Sequence, residues 1–269
     1  MNINDTEISD EISRLVSLKG KDNWKDVRSF DKFKLVEKEY SFGVRKVFQV
    51  NEKALDYNNL QCSRNIGIGE EEDLSSILDK VERSINEISE SNLVRIDELR
   101  KISNSSRSDF DFEKLKNTGF VELGFRIPYL MKFFKEEYGA KSWGYDVVNL
   151  SIQVAQKLGY DGRFYDFNDC KNEIDLKGAY LVVSYHMLEH ISDPLNALKK
   201  IYDEMDSGTY FHVEIPVEVG VPRIEFAHLF PFHDFDLKAM LEEAGFNLIS
   251  FSDQTHTGGS KIERYLVKK

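Results

Sequence analysis

From Phe120 onward, short apolar runs alternate with segments whose apolar positions recur every three or four residues. That alternation predicts a parallel β-sheet with helices on its faces. The clearest unit runs from Tyr180 to Pro216. Tyr180–Val183 has the length and β-branched character of a buried parallel strand, and it stops at the polar Ser184-Tyr185-His186. A helix should follow from Asp193-Pro194, since Asp caps helix N-termini and Pro suits the first turn. Leu195, Leu198 and Ile201 keep one of its faces apolar as far as Ser207-Gly208. Thr209–Ile215 reads as the next strand. Upstream, Phe120–Leu123 predicts a strand turning at Gly124, and Tyr129–Tyr138 a helix. Trp143–Asp146 is a short strand ending in an acid, followed by a helix through Gln156, and Arg163–Asp166 repeats that ending.

The pattern before residue 110 is different. Phe33–Tyr40 and Val44–Val50 predict a hairpin around Ser41-Phe42-Gly43. Asn65–Gly69 contains a GxG without a third glycine or a preceding strand, so it reads as a turn into a helix rather than a phosphate loop. Glu70–Ile88 carries Leu74, Ile77, Val81, Ile85 and Ile88 at helical spacing, a core-facing stripe. A second helix covers Leu93–Ile102. The polar run Ser103–Ser108 is the linker, dividing the chain into an accessory, acceptor-binding region (1–110) and a main domain (111–269).

Composition narrows the function classes. With 41% hydrophobic and 31% charged residues the chain is that of a soluble globular protein, and no apolar run approaches the ~20 residues needed to span a bilayer. The acidic start MNINDTEISDEIS lacks a secretory pattern, which makes the cytoplasm the expected compartment. Cys62 and Cys170 have no CxxC partner and read as ordinary reduced thiols. A net charge of −11 repels polyanions, arguing against nucleic acid and for a small-molecule partner.

The chemistry-bearing residues gather at predicted strand ends. Ligands of open α/β sheets sit outside those ends, where His186, Glu189 and His190 would project. A carboxylate such as Asp146 at a strand tip is placed to accept hydrogen bonds from a ribose diol. In His186-Met187-Leu188-Glu189-His190 the i, i+3 and i+4 positions lie on one side of a turn, so three metal ligands could converge. The plainer reading is that Glu189 and His190 cap the coming helix and His186 stacks beside a cofactor.

Residues 120–269 resemble the class I S-adenosylmethionine-dependent methyltransferases. The resemblance is carried by VELG, GYD, YDF, VVSYHMLEHISDPLNAL and HLFPFHDFDLKAMLEEAGFNLI. It implies a Rossmann-like α/β fold: a seven-stranded, mostly parallel sheet whose last strand is antiparallel, with Asn247–Ser252 and Ile262–Val267 as the closing pair. It also implies that Glu122 and Gly124 line the methionine part of S-adenosylmethionine. Asp146, with Val147, would hold the ribose, Asp166 and Phe167 the adenine, and Ser184 the space beneath the sulfonium. One departure is Gly124-Phe125-Arg126-Ile127-Pro128, with Arg and Pro where the family has glycines. Glycine permits positive φ and close approach of backbone to ligand, so the loop must be reshaped. Either the methionine pocket is altered, or the scaffold has become a non-catalytic binding or regulatory module.

Two metal-assisted branches, the ubiquinone-pathway O-methyltransferases and the small-RNA 2′-O-methyltransferases, have Glu-x-x-Glu-His where this chain has His186, Glu189 and His190. The RNA branch adds a downstream histidine, matched here by His228 with His233 in reserve. The resemblance thus implies a metal and catalytic set of His186, Glu189, His190 and His228, suited to Zn²⁺, Mn²⁺ or Fe²⁺ rather than Mg²⁺. Without a metal, His186 or His228 would be the general base. The activity implied is O-methylation of a small polar acceptor, such as a nucleotide-linked intermediate or a glycan of capsule or cell-surface polysaccharide biosynthesis. RNA 2′-O-methylation is the alternative that the negative charge disfavours.

Overall fold

The computed structural model describes residues 33–50, 78, 81, 85, 89–106, 108–168, 173–218, 228–255 and 261–269. The GxG at Asn65–Gly69, both cysteines and most of the Glu70–Ile88 stripe lie outside the described residues, although Val81 and Ile85 are buried. Among the described residues, nine strands and five α-helices follow in order. They are β1 (Phe33–Tyr40), β2 (Gly43–Val50), α1 (Glu90–Ser103), β3 (Gly119–Leu123), α2 (Tyr129–Tyr138), β4 (Lys141–Asp146), α3 (Asn149–Lys157) and β5 (Asp161–Phe164). Then come β6 (Ala179–Tyr185), α4 (Pro194–Glu204), β7 (Tyr210–Val217), α5 (Asp236–Ala244), β8 (Asn247–Thr255) and β9 (Lys261–Lys268). No helix among the described residues is long and apolar enough to cross a membrane.

Seven strands form one sheet in the order β5-β4-β3-β6-β7-β9-β8. β3 to β7 pair in parallel, while β9 runs antiparallel to both β7 and β8. The Rossmann-like sheet expected from the sequence is therefore present. β3 and β6 are neighbours although β4 and β5 intervene in sequence, so the chain reverses its direction of travel across the sheet there. Such a switch point leaves a crevice beyond the strand ends. Register brings those ends level: Leu123 lies beside Tyr145 on one side and Ser184 on the other, and Tyr185 lies beside Glu214.

Both faces are covered, which is why the strands read as continuous apolar runs. On one face Val121, Leu123, Val182 and Val213 pack with Leu198 and Ile201 of α4 and Leu237 and Met240 of α5. On the other, Phe120, Leu181 and Val183 pack with Leu130 and Phe134 of α2, Ile152 of α3, and Ile96, Leu99 and Ile102 of α1. Asp193 caps α4 by accepting from the Asn196 N–H at 3.2 Å, with Pro194 in the first turn. α4 nevertheless ends at Glu204, short of Ser207-Gly208, and β5 ends at Phe164, leaving Asp166 in the loop beyond it.

The β1–β2 hairpin pairs along its length from Phe33↔Val50 to Tyr40↔Gly43. It is tied to α5 by the two-pronged Arg45–Asp236 pair (2.8 and 2.6 Å) and to the start of α4 by Lys38–Asp193 (3.0 Å).

Close approach across the sheet requires glycine at residue 144. A methyl group there would sit 2.7 Å from the Phe125 ring, 2.8 Å from Met131 Sδ and 2.9 Å from the Glu122 carbonyl oxygen. Gly144→Ala should therefore lower stability by ~1–3 kcal/mol through overpacking, read as a drop in the denaturant midpoint with unchanged slope. Wild-type stability would show that Phe125 and Met131 yield freely.

Candidate functional site

The loop after β3 is built around two left-handed residues, Gly124 (φ 72°) and Arg126 (φ 48°). Arginine adopts the conformation that a glycine would have supplied, which costs about 1–2 kcal/mol. Asp146, at the end of β4, offsets that strain. Its Oδ2 accepts from the Arg126 N–H at 2.8 Å and its Oδ1 from the Val148 N–H at 2.8 Å. The carboxylate expected to meet a ribose thus also holds the loop's shape. Phe125 tucks behind the loop, over Gly144 and Gly162, where a Cβ would lie 2.7 and 3.2 Å from its ring. Met187 covers Gly124 in the same way, within 2.9 Å of where a Cβ would be.

Between this loop and the turn after β6 lies a cavity of about 460 Å³. Its walls include Glu122, Gly124, Asp146, Val147, Asp166 and Phe167 from the loops after β3, β4 and β5, and His186, Glu189, His190 and His228 opposite. Of the sequence-derived set, Ser184 is not in the wall. It is fully buried behind it, with no hydrogen-bond partner for Oγ. Burial pushes the Glu122 carboxyl up to about 8, and its Oε2 lacks a hydrogen-bond partner.

His186, at φ 53°, starts the turn, and a 3₁₀ segment Leu188–His190 completes it. The His186 ring points to carboxylates: Nε2 is 2.9 Å from Glu214 and Nδ1 is 3.3 Å from Glu189. Burial works against the charged ring, but these two carboxylates outweigh it and raise its pKa. His186 is therefore an imidazolium at neutral pH, occupied with Glu189 and Glu214. Glu214 also receives Arg95 from α1 and Arg264 from β9. For Glu214, burial is likewise outweighed, by His186 and Arg95, which hold the carboxyl well below its usual range.

Glu189, His190 and His228 bring one ligand atom each within 4.8 Å of one another, a group that does not include His186. His228 arrives there because two backbone bonds stitch its loop to the site. The Phe230 N–H donates to the Glu189 carbonyl at 3.0 Å and the Glu218 N–H to the Phe232 carbonyl at 3.0 Å. Glu218 Oε1 lies 2.6 Å from His228 Nδ1, so Nε2 is the atom His228 can offer the group. The rings of His190 and His228 meet edge to face at 4.9 Å. His233 lies outside the cavity wall, its N–H donating to Asp236 at 3.1 Å.

Several residues in or behind this site were missed in the sequence. Asn168 joins its two sides, accepting from the Ser192 N–H at 2.9 Å and donating to the His190 carbonyl at 3.3 Å. Asn92 and Arg95 of α1 close the cavity from outside the sheet domain. Arg95 lies 4.4 Å over the Tyr185 ring, and Tyr185 Oη is 2.6 Å from His212 Nδ1. Glu214 and Glu218 did leave a trace, as acids spaced through the otherwise apolar run Phe211–Val217 and its end.

Residues 120–251 match the model of a family described as a methyltransferase domain. That stretch is a methyltransferase domain of the class I S-adenosylmethionine-dependent kind. Among solved structures, the methyltransferase fold is shared with magnesium protoporphyrin IX methyltransferase from Synechocystis PCC 6803, solved with bound S-adenosylhomocysteine. That match has 12% identity and a TM-score of 0.50, covering 80% of this chain and 97% of that one. An S-adenosylmethionine-dependent methyltransferase from Mesorhizobium loti matches at 12% identity and TM-score 0.47, over 58% of this chain and 92% of its own. The [4+2]-cyclase SpnF matches at 11% identity and TM-score 0.49, over 62% and 84%. No curated protein sequence matches the chain.

The Glu122 carboxyl in this cavity titrates in an accessible range. Its pKa rises from an ordinary 4.5 to about 8 on folding, so the native state holds the proton more tightly. Stability should then fall as pH climbs from about 4.5 to 8, by at most ~1.4 kcal/mol per unit. Glu122→Gln should flatten that fall in denaturant titrations of the ligand-free protein. A fall of equal steepness in the variant would assign it to another group.

Proposed function

We propose that the cavity binds S-adenosylmethionine and directs its methyl group to an oxygen of a small polar acceptor, with a divalent ion on Glu189, His190 and His228. The reading rests on one observation, the convergence of Glu122, Asp146 and Asp166 with the Glu189–His190–His228 group in a single cavity at the switch point of the sheet.

The residues suit the cofactor. Glu122 presents a buried oxygen with no hydrogen-bond partner, which a cationic amino group would satisfy. Each Asp146 oxygen takes one backbone N–H and keeps a second acceptor position for a ribose hydroxyl. They also suit a metal. Both Glu189 oxygens are buried and, beyond the ion pair of Oε1 with His186 at 3.3 Å, make no hydrogen bond, and two imidazoles complete a donor set that favours Zn²⁺, Mn²⁺ or Fe²⁺ over Mg²⁺. When bound, such an ion lowers the pKa of an acceptor hydroxyl.

Methyl transfer is an in-line displacement, so the protein's main work is alignment. The Asp146 clamp fixes the loop on the cofactor side, and the Glu189–Phe230 bond fixes the opposite wall. His186 already carries its proton and cannot act as a base. His228, oriented by Glu218, is the imidazole left to take the acceptor proton if no metal is used. The net charge of −11 supports a small acceptor over RNA.

Calorimetry with S-adenosylhomocysteine tests the cofactor half: binding is expected, and neither heat nor a thermal shift at millimolar ligand would overturn it. Titrating EDTA-treated protein with Co²⁺ and following its visible absorption tests the metal half. Glu218→Gln should weaken metal binding by the ~10–100-fold typical of a group that orients a ligand, and His228→Ala by more. No metal by elemental analysis and no Co²⁺ spectrum would leave the cofactor reading standing without the ion.

A further inference from the structure

The cavity is lined by three cationic side chains, and two of them are committed. Arg95 gives its N–H groups to Glu214 and Asn92, and His186 faces Glu214 and Glu189. Arg126 differs. Its backbone N–H is held by Asp146, which fixes where the side chain leaves the loop, and the residue is part of the cavity wall. The Nε of that guanidinium is buried with no hydrogen-bond partner among the described residues. A buried, unsatisfied donor on a cation is costly unless a ligand completes it.

Its natural counterpart stands on β3, just before the same loop. Glu122, 8% exposed, has Oε2 buried and unpartnered in the same cavity wall. Unliganded, that carboxyl holds its proton up to about pH 8, and a ligand's cation would take the proton's place. The strand end and its loop therefore present a guanidinium and a carboxyl, four residues apart, each short of a partner. A ligand that satisfies both carries an anion and a cation on one short segment, as an α-amino acid does.

We infer that Arg126 binds the carboxylate of the cofactor's amino-acid end while Glu122 takes its ammonium. The inference rests on the cofactor reading above and adds a residue to it. Where a glycine would leave only backbone N–H groups, the guanidinium offers a planar, two-pronged match to a carboxylate. Affinity in this protein should then depend strongly on the part of the ligand farthest from the adenine.

The test compares S-adenosylhomocysteine with 5′-methylthioadenosine, which lacks the amino-acid end, by calorimetry on wild type, Arg126→Gly and Arg126→Lys. Arg126→Gly is the variant safest for folding, because glycine takes the left-handed φ without strain. Its Tm should match or exceed that of wild type, while S-adenosylhomocysteine affinity falls ~10–100-fold and methylthioadenosine affinity stays unchanged. Arg126→Lys should recover part of the loss, since charge is kept and the fork is not. Equal losses for both ligands, or no loss for either, would overturn the role of Arg126 while leaving the cofactor reading intact. Wild type that binds neither ligand would overturn both.

Discussion

The arrangement depends on a carboxylate that has no business being buried alone. Glu214 is 1% exposed near the end of β7, and it is surrounded by Arg95, Arg264 and His186. Each partner comes from a different part of the chain: the accessory helix, the penultimate position pair of the sheet, and the turn that opens the site. Glu98 and Ser252 extend the cluster, Glu98 pairing with Arg264 at 2.6 Å and accepting from Ser252. Removing one member of such a set strands the others, at a cost of ~3–5 kcal/mol. The same charges that join α1 to the sheet also set the protonation of His186, so assembly and site chemistry are not separable here.

Asp146 plays a comparable double part on the cofactor side. Beside the ribose contact proposed for it, both of its oxygens already hold backbone N–H groups. Those bonds let an arginine occupy a glycine conformation. The loop is thus altered in sequence and retained in shape, and the side chain that results is available for a new purpose.

The sheet was legible in the sequence because its central strands are buried on both faces and α4 opens on a plain Asp cap. The Asp193-Pro194 start of α4 and the run Tyr129–Tyr138 of α2 were read directly. Asp146, the last residue of β4, and Asp166, just beyond β5, were legible by their place at strand ends. What could not be read was partnership. His186 and His190 stand four residues apart and group together by spacing and by resemblance, but a positive φ at His186 turns its ring to Glu214, a residue 28 positions on. Arg95 lies in a helix whose pattern says only that one face is apolar, and nothing local reveals that its charge is matched by β7. Glu218 meets His228, ten positions on, where the backbone bonds Glu218–Phe232 and Phe230–Glu189 hold both beside the turn after β6.

The reach of the Glu214 cluster bears on how the molecule folds. Glu98 and Arg264 are 166 residues apart, and their pairing needs β9 already inserted between β7 and β8. Contacts of that separation carry a large loop-closure cost and form after local ones. Helix α1 is local in sequence and can form early, whereas its ion pairs to β7 and β9 close only once those strands are in place. The cavity wall that holds Asn92 and Arg95 thus draws on the slow, long-range part of folding rather than on the helix itself.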